Sequence, residues 1–230
     1  MAMGIHDGHR ARMKKRFSEH GLDNFDDVNV IELLLFYALP RRDTNTVAHA
    51  LLDRFGGLNG IFEAPITELM KVDGVGENAA MLLKLIPQTS RRYMISKGIT
   101  YTNNILSSTT QAGKYIVPLF MYEKDEVVYM ICLDSKCKVI CCRQLSRGVV
   151  NSAEVSVRRI VEIALGNSAA SVIIAHNHVN GLALPSREDE LTTRRIYSAL
   201  ALVGIALTDH IIVAGEDYVS LADSGLLRGY

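Results

Sequence analysis

The chain has no excess of charge of either sign: 25 lysines and arginines stand against 25 aspartates and glutamates in 230 residues. Overall charge therefore argues neither for nor against nucleic acid, which a strongly basic chain would favour. It also lacks any apolar run of 18 residues; stretches such as IELLLFYALP are too short to span a bilayer. The N-terminus, MAMGIHDGHRARMKKRF, has no apolar secretory core, so a cytoplasmic protein with no membrane partner is expected. Cysteine is confined to one place: Cys132, Cys137, Cys141 and Cys142 all fall in MICLDSKCKVICCRQ. A vicinal pair in strand-like surroundings is not zinc-knuckle spacing, and the four read as reduced, mostly buried thiols, with a thiolate metal site as the minor alternative. Hydrophobic residues make up 48% of the chain, enough for a packed core and too many for disorder. The length allows one large domain or two small ones.

Hydrophobic spacing divides the chain. In the first half, DVNVIELLLFYAL, TVAHALLDRF, ITELMKV and NAAMLLKLI carry helical apolar stripes, and no strand is convincing. Residues 1–97 are expected to form a small helical domain. The polar run KGITYTNNILSSTTQA then reads as a linker over 98–112. Over 113–230 the pattern changes. EVVYMICLD and CKVICCRQL suggest strands of a hairpin turning at SK, VSVRRIVEIALGN a helix stopped at Gly166, and ASVIIAHNH a strand buried on both faces. SREDELTTRRIYSALALVG predicts a long amphipathic helix ending at Gly204, and IALTDHIIVAG another strand. Strands alternating with helices imply an α/β or α+β sandwich around a mixed sheet.

In the first half, Gly74-Val75-Gly76 lies between two helical segments. Two glycines allow a sharp turn and close approach to a ligand, and the following helix presents its positive end. The arrangement resembles a helix-hairpin-helix motif, which grips a DNA phosphate backbone without reading sequence. The ligand-free alternative is a plain helical hairpin. Asp73 and Glu77 flank the turn and would repel phosphate. Arg10, Arg12, Lys14, Lys15 and Arg16 form a basic run that either assists a backbone contact or is a solvated helix face. Arg41-Arg42 and Arg91-Arg92 are smaller basic spots.

In the second half the stretch AHNHVNGLALPSREDE concentrates chemistry. Strand alternation puts His176 and His178 on one side and Asn177 on the other, and two imidazoles on one side can share a cation. Ser186 before a helix, with Asp189 three residues on, is close to a capping box. That carboxylate also has room to turn toward a metal. A zinc hydrolase needs, besides ligands, a group to take a proton from water. Glu126, Glu123 and Glu154 compete for that role, and periodicity selects none of them. Asp209 and His210 are either partners behind the ligands or a satisfied pair at a strand end.

His176-x-His178, seven residues, Ser186, two residues, Asp189 reproduces the JAMM motif of the JAB/MPN+ metalloprotease superfamily. The surrounding text resembles its RadC branch: AHNH, Gly181, LPSREDE, DHIIV over 209–213, CLD over 132–134 and the terminal SLADSGLL. In the helical half, IELLLFYALPRRDTN and VDGVGENAA resemble the same branch. The resemblance implies a JAB/MPN-like, cytidine-deaminase-like sandwich. It implies one Zn²⁺ held by His176, His178 and Asp189, with Glu126, eight residues before Asp134, as the general base. Ser186 would donate to a developing oxyanion. The implied activity is a zinc metallopeptidase or isopeptidase acting on a peptide or protein. The alternative is a DNA-associated repair or recombination protein whose helical domain binds DNA, the metal domain being a nuclease or a non-catalytic interaction module. Two departures stand out: Val179-Asn180 replaces the branch's usual Pro-Ser, and Arg159 stands where some members carry glutamate.

Overall fold

The computed structural model describes residues 5–40, 42–148, 156–179 and 181–229. It falls into two compact units, Met1–Ser90 and Arg91–Tyr230. The first contains helices α1 (Ile5–His20), α2 (Asp27–Ala38), α3 (Thr44–Phe55), α4 (Leu58–Glu63), α5 (Ile66–Leu69) and the start of α6 (Glu77–Thr102). Local chemistry sets several of these ends. Asp26 and Asp43 accept backbone N–H bonds at the starts of α2 and α3, and Gly56 ends α3 in the left-handed conformation. The apolar stripes then meet: Ile31 and Leu35 of α2, Leu51 of α3, Ile61 of α4, Leu69 of α5 and Leu83 of α6 are all fully buried in one cluster. Truncating any one of these to alanine would cost about 2–5 kcal/mol. As expected, this half is helical, with no strand among its described residues.

The polar run read as a linker is largely helical. α6 continues through Pro87 and Gly98 to Thr102, and α7 occupies Thr109–Phe120. Polar composition hid this because its hydroxyls serve the helices. Thr102 Oγ1 donates to the Gly98 carbonyl at 3.0 Å, and the Ser108 side chain accepts from Gln111 N–H to cap α7.

The second unit is built on a five-stranded mixed sheet of order β2-β1-β3-β4-β5. Its strands are β1 (Val127–Leu133), β2 (Val139–Arg147), β3 (Ser171–Asn177), β4 (Ala206–Ala214) and β5 (Asp217–Ser220). All neighbours are antiparallel except β3 and β4. That parallel pair requires a crossover, and α9 (Arg187–Leu202) supplies it. The expected β1–β2 hairpin forms through a longer turn than Ser135-Lys136. Asp134 Oδ1 accepts from Lys136 and Lys138 N–H, and Cys137 takes a positive φ of 60°. The short β5, four residues long, carries too little apolar pattern to be legible in the sequence.

Alternation sorts the sheet's side chains into two cores. Ile131, Leu133, Ile173, Ala175, Ile211 and Val213 pack against α7. Met130, Cys132, Val172, Ile174 and Leu207 pack against α9 and α8 (Val157–Gly166). Every residue of β3 is buried, as its continuous apolar run predicts. All four cysteines are free thiols, Cys132 buried and the others half-buried. Burial is the main cause that pushes the thiols of Cys132 and Cys142 up to about 12. No helix of the described residues is long and apolar enough to cross a membrane.

α7 approaches β5 through Gly113, where a Cβ would lie 2.3 Å from Cζ of Tyr218. Gly113→Ala should therefore destabilise by about 1–3 kcal/mol, read as a lower urea midpoint at unchanged slope. Gly166→Ala meets no atom within 4 Å and should leave the midpoint unchanged or raised.

Candidate metal centre

β3 ends in a group of polar side chains whose directions follow from strand alternation. His176 lies on the α9 side with Ile174; Asn177 points the other way; His178, one residue past the strand, returns toward His176. Its N–H donates to the Val213 carbonyl at 2.8 Å, extending the parallel pairing beyond the strand end. Asp189 comes from the first turn of α9. Ser186 caps that helix: its hydroxyl accepts from Asp189 N–H at 3.1 Å, while Asp189 Oδ2 accepts from Ser186 N–H at 2.8 Å and Ser186 O–H at 2.6 Å. The predicted capping box is thus present with both halves made.

The other carboxylate oxygen, Oδ1, faces His176. His176 Nε2 lies 3.2 Å from Asp189 Oδ1 and 3.0 Å from His178 Nε2, and His178 Nε2 lies 3.5 Å from Asp189 Oδ2. This is the one group of three metal-ligating side chains that converges among the described residues, its ligand atoms all within 4.8 Å of one another. Ligands at about 2.0–2.1 Å from a tetrahedral zinc stand roughly 3.3 Å apart. Two imidazoles and one carboxylate at these separations fit such an ion, and the donor set suits zinc. Burial opposes ionisation of Asp189, but its contacts with His176 and Ser186 outweigh that and hold its carboxyl well below the ordinary range.

A further polar group backs the cluster. His178 Nδ1 lies 3.1 Å from the Leu182 carbonyl. His176 Nδ1 lies 2.9 Å from Nε2 of His210, which is enclosed between β4 and Thr193 of α9. Burial, followed by the neighbouring His176 imidazole, pushes the His210 imidazole down to about 3, so it is neutral. Asp209, its sequence neighbour, faces away. It accepts from Ser220 O–H, from Ala222 N–H and from the N–H of His210. Of the two residues weighed as partners for the ligands, His210 is therefore in contact and Asp209 is not. Thr193 had no signal in the sequence; it is a buried position on an amphipathic helix, four residues after Asp189.

Among the competing acids, Glu123 is occupied. It is buried between Arg91 and Arg147, each with an Nη2 at 2.7 Å. Glu154 lies outside the described residues. Glu126 directly precedes β1. Val128 pairs with His176, and the same register carried two residues further sets Glu126 across from His178. Asn177 secures this position. Its Oδ1 accepts from Val127 N–H at 2.7 Å and its Nδ2 donates to the Asp125 carbonyl at 3.0 Å, so it holds the backbone on either side of Glu126. The middle residue of His-Asn-His thus faces away from the ligands, as alternation predicts, and is used to hold the neighbouring strand's lead-in.

The other sequence candidates scatter. Gly74 has a φ of +86°, and a Cβ there would lie 2.8 Å from Val47 Cγ2, so backbone and packing both require glycine. Val75 is buried in the helical core. A Cβ at Gly76 would meet nothing. Arg10 spends its guanidinium on the carbonyls of Leu39, Pro40 and Arg42, and Arg16 bonds Asn29 and stacks on Phe25. Lys14 lies over Tyr37, and Lys15 pairs with Glu19. Arg159 donates to the Leu145 carbonyl. Arg41 and Asn180 lie outside the described residues; Val179 is exposed.

Asn177→Ala would orphan a buried N–H and a carbonyl, and should cost about 1–3 kcal/mol. Hydrogen exchange should show the added opening concentrated at Val127 and its neighbours, while α2 and α3 keep their protection.

A family model described as the RadC-like JAB domain matches residues 106–226. A UPF0758 protein of Fusobacterium nucleatum is 32% identical over 227 residues, covering 96% of this chain and 97% of its own. UPF0758 proteins of Methylibium petroleiphilum and Idiomarina loihiensis are 35% and 30% identical, each covering 94% of this chain and 96% of its own. With a matching domain model over the sheet unit and relatives aligned over nearly the whole length, the chain belongs to the RadC-like JAB-domain family.

Proposed function

We propose that this chain is a zinc-dependent hydrolase of JAMM type that cleaves a peptide or isopeptide bond. The observation that carries the reading is the convergence of His176, His178 and Asp189 where β3 ends and α9 begins. These three side chains would hold one Zn²⁺ per chain, which would polarise the scissile carbonyl and acidify a water. Glu126, whose backbone is held on both sides by Asn177, receives a proton from the attacking water and passes it to the leaving amine. A C–O bond forms, the C–N bond breaks, and one water is consumed. In the structure the Ser186 hydroxyl donates to Asp189 Oδ2. To stabilise an oxyanion it must turn outward, while the backbone N–H of Ser186 keeps its bond to the same carboxylate oxygen. Leu182 and Leu184 are largely exposed on the loop between His178 and Ser186. That apolar margin suits a polypeptide better than a phosphodiester backbone.

Purified protein should carry about one zinc per chain by elemental analysis, and a double change of His176→Ala with Asp189→Ala should remove it; metal content unchanged in that variant would sink the site. Glu126→Gln should keep the zinc and lose about 10²–10⁴-fold in hydrolysis of a peptide and isopeptide panel. Phosphodiester cleavage dependent on the same ligands would replace a protease by a nuclease.

One observation favours a second role, contact with DNA through the helical unit. Packing explains glycine at Gly74 but not at Gly76, where the backbone at the start of α6 stays open beside Arg42 and Lys71. The full-length chain should then bind duplex DNA with affinity that falls steeply with salt. Gly76→Val should weaken that binding without affecting zinc; absence of binding at low salt would end the idea.

A further inference from the structure

His176 and Asp189 are joined a second time behind the candidate metal centre. His176 Nδ1 lies 2.9 Å from His210 Nε2, His210 Nδ1 lies 2.5 Å from Thr193 Oγ1, and Thr193 Oγ1 lies 2.5 Å from the backbone carbonyl oxygen of Asp189. The three side chains in this chain of contacts are buried, and Thr193 is fully enclosed. They come from three elements: His176 from β3, His210 from β4 and Thr193 from α9.

The direction of the chain follows from its far end. A carbonyl has no proton to give, and two oxygens 2.5 Å apart with no proton between them repel. The Thr193 hydroxyl therefore donates to Asp189. It has only that one proton, so toward His210 it can only accept, and His210 carries its hydrogen on Nδ1. The His210 ring is buried, and its two nitrogens meet only His176 and Thr193, with no carboxylate to balance a second proton, so its Nε2 is a bare lone pair. That lone pair accepts from His176 Nδ1–H. In the neutral His176 imidazole, Nε2 is then unprotonated and aimed at Asp189 Oδ1 and His178 Nε2. The opposite direction would put a proton on His176 Nε2, in the space between the ligands. His178 reaches the same state by a shorter route, since Nδ1 can only donate to the Leu182 carbonyl.

We infer that Thr193 and His210 are positioning residues. Through a one-way hydrogen-bond chain anchored on the backbone of Asp189, they fix the tautomer of His176 that offers its Nε2 lone pair to zinc. This rests on the metal-centre reading of the same site. It adds that one ligand's backbone sets the chemistry of another, so that α9 and β3 must be correctly docked before His176 is a competent donor. Ligand histidines are commonly oriented by the partner of their second nitrogen, and losing that partner typically weakens metal binding about 10–100-fold.

The test uses full-length protein labelled with ¹⁵N-histidine. Long-range ¹H–¹⁵N correlation spectra, recorded with and without zinc, should show His210 as the Nδ1–H tautomer in both states. Zinc affinity, measured by competition with a chromogenic chelator, should fall about 10–100-fold in Thr193→Val. Thr193→Ser retains the hydroxyl and should bind as the parent does, a rescue that a purely space-filling role for Thr193 would not produce. Circular dichroism establishes that each variant is folded. A His210 proton on Nε2 overturns the inference, as does a folded Thr193→Val that binds zinc as tightly as the parent. If the parent itself binds no zinc, the metal-centre reading fails, and the His210 tautomer still decides the direction of the chain.

Discussion

The constraint on which the site depends is that successive residues of a strand face opposite ways. At the end of β3 that rule gives adjacent residues different duties. His176 is directed into the space bounded by α9 and β4, and Asn177 into the space before β1. Because β3 is the middle strand, antiparallel to β1 and parallel to β4, both spaces lie within reach of one short segment. A one-residue slip of β3 would exchange the two duties and destroy both. The complete burial of β3 opposes that slip, since each of its apolar residues is already committed to one of two cores.

The same economy governs α9. A crossover helix is needed once β3 and β4 run parallel, and its N-terminus must return close to the end of β3. The capping requirement of that terminus brings Ser186 and Asp189 there, and the carboxylate divides its work. Oδ2 takes the bonds from Ser186; Oδ1 is left toward His176. The buried face of the helix then brings Thr193, one turn later, under the Asp189 carbonyl and against His210. Local helix chemistry, sheet topology and the ligand cluster agree, as expected of a segment whose levels of organisation are mutually consistent.

Much of this was legible in the sequence, though unevenly. The helical first half, the sheet-bearing second half and the strands β1 to β4 follow from the period of the apolar residues. The capping box follows from Ser186 and Asp189 alone. What composition could not show was the helical character of 97–112, because serines and threonines look like loop until their hydroxyls are seen bonded to helix backbone. β5 escaped notice because four residues beside a turn carry too little pattern. Within the site, spacing left Glu123, Glu126 and Glu154 equivalent. Only the fold separates Glu123, which two arginines hold. Thr193 was invisible for a different reason: a threonine on an amphipathic helix has no local signature of what it touches across the core. In the basic N-terminal run, sequence could not separate Arg10 and Arg16, which are engaged by contacts inside the helical unit, from their exposed neighbours.

The double duty of Asp189 has a consequence for how drift would act on such a site. A descendant that no longer bound metal would be released from keeping its histidines, but not from keeping the start of α9. Ser-x-x-Asp would persist on grounds of stability alone, worth about 0.5–2 kcal/mol for the cap. The two halves of the motif therefore decay at different rates. In a diverged relative, an intact Ser-x-x-Asp says that the crossover helix still begins in the same place. The state of the histidine pair, and of the buried threonine and histidine behind it, says whether the chemistry survives.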